Sequence, residues 1–115
     1  MIEKGIHFSR RGFAAAAALL LLSASAVSAA DKSTTYTVDI SQMRYGSVPG
    51  HLKVGDIIVW VNKDTVQHTV TAKDHSFDVR IAPGKQASQT LNKAGTIPFY
   101  CVYHPTMRGT LKVAG

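Results

Sequence analysis

One cysteine, Cys101, is all that this chain of 115 residues contains, which rules out an internal disulfide. The scarcity matters because the residues from about 30 onward are near the lower size limit for a self-sufficient core. Small exported domains of that length usually lean on disulfides or on a metal. A lone thiol in an oxidising compartment is left as half of an intermolecular bridge, a buried bystander, a nucleophile or a metal ligand. Long apolar runs are missing as well. The unbroken stretch from Phe13 to Leu22 falls short of the roughly 20 residues that a bilayer span requires. It follows Lys4, Arg10 and Arg11 and precedes the small residues of 23–30. Residues 1–30 are therefore expected to be a cleaved signal peptide, cut after Ala29 or Ala30. The segment Ser9-Arg10-Arg11-Gly12-Phe13 resembles a twin-arginine export signal, a route that accepts folded, cofactor-loaded proteins.

A basic stripe is also lacking. The whole chain carries a formal charge of +6, and removal of residues 1–30 leaves ten basic and six acidic residues, about +4. The cations, from Lys32 to Lys112, are scattered between apolar positions and are not interleaved with aromatics, so nothing points to nucleic acid. They read as a solvated face, with at most mild steering toward an acidic partner.

Helical periodicity is the last absence. Tyr36, Val38 and Ile40 alternate with Thr37, Asp39 and Ser41, and Ile57, Val59 and Val61 alternate with Ile58, Trp60 and Asn62. Further short strands are expected at Leu52 and Val54, and over residues 68–72, 86–91, 96–101 and 109–113. Turn signals at Gly55-Asp56, Asn62-Lys63-Asp64, Pro83-Gly84 and Asn92-Lys93-Ala94-Gly95 separate them. Seven to eight strands at this spacing predict an all-β Greek-key β-sandwich, one domain over residues 31–115.

The chemistry is concentrated near the end. In Tyr100-Cys101-Val102-Tyr103-His104-Pro105-Thr106-Met107-Arg108-Gly109, the residues Cys101, His104 and Met107 recur every third position between two strands. A tight loop stiffened by Pro105 can turn a thiolate, an imidazole and a thioether toward one point. That soft donor set suits copper far better than magnesium, calcium or manganese; zinc takes Cys and His readily but rarely a thioether. A trigonal site of two imidazoles and one thiolate needs a second nitrogen. His7 lies in the expected signal, His51 stands far from any loop that pairs with the site, and His75 beside Asp74 reads as an exposed loop residue. His68, which opens a strand just after the Asn62 turn, is the best choice.

At these residues the chain resembles the cupredoxin family of type 1 blue copper proteins. The resemblance runs through Gly55-Asp56-x-x-x-Trp60-x-Asn62, His68 and Cys101-x-x-His104-x-x-Met107. The loop with two residues between successive ligands is similar to that of amicyanins, as are Asp39-Ile40-x-x-Met43-x-Tyr45 and Pro105-x-Met107-Arg108-Gly109. The resemblance implies a Greek-key sandwich, one copper ion, and single-electron shuttling in the periplasm. It assigns His68 and His104 as nitrogen ligands, Cys101 as the thiolate and Met107 as a weak axial ligand. It implies partners among periplasmic redox proteins, an amine dehydrogenase and a c-type cytochrome among them. They would dock weakly on an apolar patch around His104, for which Met43, Val66, Tyr103 and Pro105 are candidates. A monomer with no membrane span in its mature form fits this role.

The chain also departs from amicyanins. Thr69 stands where they carry Asn, Tyr103 where they carry Pro, and Thr106 where they carry Phe. The redox potential and the surface by which an electron leaves are therefore this chain's own. Two other classes compete with an electron carrier. A copper delivery or storage protein would display several surface methionines, and the mature chain holds only Met43 and Met107. An enzyme using Cys101 as nucleophile needs an orienting third group and an oxyanion pocket, neither visible in the sequence.

Overall fold

A computed structural model describes residues 32–115; the expected signal peptide, with its cleavage site and export motif, lies outside the described residues. Nine strands form two sheets: β1 (Thr35–Ser41), β2 (Arg44–Tyr45), β3 (Leu52–Lys53), β4 (Ile57–Asn62), β5 (His68–Ala72), β6 (Asp78–Ile81), β7 (Gln86–Thr90), β8 (Gly95–Tyr100) and β9 (Arg108–Ala114). One sheet runs β2-β1-β4-β7 and the other β3-β9-β8-β5-β6. The chain is an all-β Greek-key sandwich. Among the described residues no helix is long and apolar enough to cross a membrane.

The alternation read from sequence sets which side chains go inside. Along β1, Val38 and Ile40 are buried while Thr37 and Asp39 are exposed. β4 is flanked by β1, in parallel, and β7, antiparallel, and it buries Ile58, Trp60 and Asn62. The strand count exceeds the expected seven to eight. The additions are short: β2 is a two-residue strand, and β6, Asp78-Val79-Arg80-Ile81, was not anticipated. Its polar residues face solvent, so it lacks the apolar run that marks a buried strand.

Trp60 and Phe99 are fully buried. With Tyr45 they form an edge-to-face trio, at centroid separations of 4.9 to 6.0 Å, a geometry worth about 0.5–1.5 kcal/mol per pair beyond the area buried. Gly109 pairs with Phe99 across β8 and β9, and a Cβ there would run into the Phe99 ring. The ladder between those strands ends at Tyr100↔Arg108. Residues 101–107 are thus held at both ends by a rigid hairpin, at the same edge of the sandwich as the start of β5.

Candidate metal centre

Loop 101–107 is a pair of successive backbone turns. His104 N donates to Cys101 O at 3.3 Å, Met107 N donates to His104 O at 2.9 Å, and Cys101 N closes the loop on Met107 O at 3.2 Å. Turns with a three-residue period stack side chains at i, i+3 and i+6 on one side. That is why a Cys-x-x-His-x-x-Met spacing can converge. Pro105 fixes the backbone between the second and third of these positions.

Across from the loop, β5 presents His68 into the interior with no exposed surface. The ligand-capable atoms of His68, Cys101 and His104 all lie within 4.8 Å of one another. Cys101 Sγ is 3.9 Å from His68 Nδ1 and 3.6 Å from His104 Nδ1. With metal bonds of about 2.3 Å to sulfur and about 2.0 Å to nitrogen, a trigonal arrangement puts sulfur and nitrogen about 3.7 Å apart. The observed pair brackets that value, so the three donors fit around one small ion. Met107, on the same loop, is 4 % exposed. His51 and His75 are exposed and stand outside the cluster of three.

The protonation pattern also suits a metal. His68 Nε2 is 2.8 Å from Asp64 Oδ2. A carboxylate only accepts, so Nε2 carries a hydrogen, and Nδ1 is the ring nitrogen that faces Cys101 and offers a lone pair once it is unprotonated. Burial alone would raise the Cys101 thiol. The Thr69 amide donating to Sγ at 3.4 Å, helped by His68, His104 and the Tyr103 amide, outweighs burial and brings the thiol down to about 6. The phenol of Tyr45, donating to Thr69 O, is pushed up first by burial and then by the charge of Cys101, so it stays neutral beside the site.

Asp64 was missed by sequence reasoning. It accepts from Gln42 N at 2.8 Å and Met43 N at 3.0 Å as well as from His68. The His68 hydrogen bond leads the causes that hold its carboxyl below the ordinary range. Its position four residues before the candidate ligand His68 was the one available signal, and by itself that reads as a turn residue. Of the four residues expected in an apolar patch, Met43, Val66 and Tyr103 are 41 %, 41 % and 49 % exposed, and Pro105 is exposed too.

A family profile described as a cupredoxin-like domain matches residues 12–113. Amicyanin of Paracoccus denitrificans is 34 % identical over 82 residues, covering 66 % of this chain and 63 % of that protein's length. Amicyanin-alpha of Methylorubrum extorquens is 31 % identical over 108 residues, covering 88 % and 89 %. Among solved structures, the Cu(I) form of an amicyanin mutant aligns with a TM-score of 0.60 at 30 % identity, over 69 % of this chain and 81 % of that one.

Proposed function

The chain belongs to the cupredoxin-like family, and from that premise we propose that it is an exported, periplasmic carrier of single electrons that catalyses no reaction of its own. His68, Cys101, His104 and Met107 would hold one copper ion. The observation that carries this reading is the convergence of two imidazole Nδ1 atoms and one low-pKa thiolate within 4.8 Å, a donor set selective for a soft transition metal. Copper bound there would supply a one-electron Cu(I)/Cu(II) couple.

The protein's own contribution is positional. β5 and the β8–β9 hairpin fix the donors before any metal arrives. Asp64 sets the tautomer and ring orientation of His68, as a carboxylate behind a metal-bound imidazole does. The Thr69 amide stabilises charge on sulfur. Burial of His68, Cys101 and Met107 excludes water and leaves no open position for a substrate, which favours carriage over catalysis. His104, half-buried beside the exposed Tyr103 and Pro105, is the edge through which electrons would pass. Its apolar rim suits redox partners that dock briefly through an interface under about 1,200 Å², an amine dehydrogenase and a c-type cytochrome among them.

Visible and electron-spin-resonance spectra of the copper-loaded mature protein test this. An intense blue thiolate-to-Cu(II) band with slow copper exchange is the expected result. Colourless copper that is readily surrendered would overturn electron carriage in favour of copper delivery.

A further inference from the structure

Thr69 follows His68 directly and has no exposed surface, so its hydroxyl must find partners inside the protein. Val102 N donates to Thr69 Oγ1 at 3.0 Å. That oxygen lies 2.8 Å from Thr71 Oγ1, which lies 2.7 Å from Asp78 Oδ1. The register explains the meeting, since Thr71 pairs with Asp78 across β5 and β6. A carboxylate only accepts and each hydroxyl has one hydrogen. Thr71 therefore donates to Asp78, Thr69 donates to Thr71, and the Val102 amide donates to Thr69. Three donors point one way, from the peptide after Cys101 to a carboxylate at the surface, and bonds aligned in this fashion polarise one another. Arg80 Nε donates to the second oxygen of Asp78 at 3.1 Å, which holds the carboxylate in place.

We propose that Thr71 and Asp78 are positioning residues of the metal centre. Acting through the Thr69 hydroxyl, they clamp the Cys101–Val102 peptide and keep the Thr69 amide against Cys101 Sγ. The redox consequence rests on the copper reading above; the clamp itself does not. Hydrogen bonding around the cysteine sulfur tunes the potential of such sites. An N–H donated to the thiolate favours the electron-rich reduced state, so loosening the clamp lowers the potential.

Two arms test this. In metal-free protein, Thr71→Val keeps the side-chain shape and removes the hydroxyl. Amide exchange at Val102, followed by NMR, is expected to run about three- to tenfold faster, the loss of one neutral hydrogen bond. The amides of β4 should be unchanged, and Thr71→Ser should restore the native rate. Asp78→Ala breaks the same relay from its exposed end and decides the matter if Thr71→Val does not fold. In copper-loaded protein, Thr71→Val should keep the blue band at a lower reduction potential, with Thr71→Ser at the native value. Native Val102 exchange in both Thr71→Val and Asp78→Ala would overturn the clamp. Native protein lacking a blue band would instead overturn the copper reading, and the exchange arm would still decide the clamp.

Discussion

Two aspartates flank β4, and they do the same chemistry for different clients. Asp56, just before the strand, accepts from Thr34 N at 2.9 Å, Lys53 N at 3.0 Å and Lys53 Nζ at 2.7 Å. Asp64, just after it, accepts from Gln42 N, Met43 N and His68 Nε2. Each carboxylate thus gathers two backbone amides and one side-chain nitrogen. Each is held below the usual carboxyl range, Asp56 chiefly by the Lys53 hydrogen bond and Asp64 chiefly by that of His68. The third donor makes the difference. An ammonium closes an ion pair within the β3–β4 turn, and the Thr34 amide ties that turn to the start of β1. An imidazole instead has its far nitrogen committed, and its near nitrogen is thereby freed for a metal. The metal centre is built with the devices that tie loops elsewhere in the fold, with one partner exchanged.

Loss of the thiolate should have the largest effect. Cys101→Ser is expected to abolish the blue band completely, because the charge-transfer transition needs the thiolate; a retained band would refute the assignment. The two histidines come next, since only one of them has a carboxylate behind it. His104→Gly should lose the band and regain it on adding free imidazole, because His104 is half-buried beside exposed residues. His68→Gly should not regain it, because that position is sealed. Equal rescue of both would break the distinction between a locked ligand and an accessible one. Asp64→Asn should then weaken copper binding by about 10–100-fold, the usual penalty for losing the group behind a metal-bound imidazole, as measured by competition titration. Asp56→Asn should leave copper affinity unchanged, and a matching loss in both variants would mean that Asp64 acts only through the fold.

What the sequence made legible, and what it hid, follows the same division. The alternation of Val38 and Ile40 with polar neighbours and the spacing of Cys101, His104 and Met107 are local patterns, and each predicts its own structure. His68 could be chosen because a strand begins directly after a turn. Asp64 could not be assigned, because its role depends on a β1–β2 turn in which Gln42 and Met43 take positive φ of 52° and 61°. Neither residue type announces that conformation, which non-glycine residues seldom adopt. Asp78 was hidden for a related reason. β6 is four residues with polar groups outward, and only its cross-strand register with Thr71 gives Asp78 a connection to the ligand loop.

The smallest effect is the one that tests whether the two aspartates are truly alike. In the folded chain the environment of Asp56 favours its ionised form, so its carboxyl titrates lower than in the unfolded chain, where it sits near 3.9. The stabilisation it gives is whole above the unfolded value and is lost as pH falls through the folded one. Metal-free native protein should therefore melt at progressively lower temperature as the pH drops below about 4. Asp56→Asn should melt lower at neutral pH, on the order of 5 °C, and the gap to native should close on acidification, because the native chain then loses what the variant never had. Asp64→Asn, measured without metal, should show a gap that closes in the same direction. A gap for Asp56→Asn that stayed constant from neutral to acid pH would mean that this carboxylate works by shape alone. Asp64 would then be the one member of the pair whose charge matters, and the likeness between fold and site would end at their hydrogen-bond count.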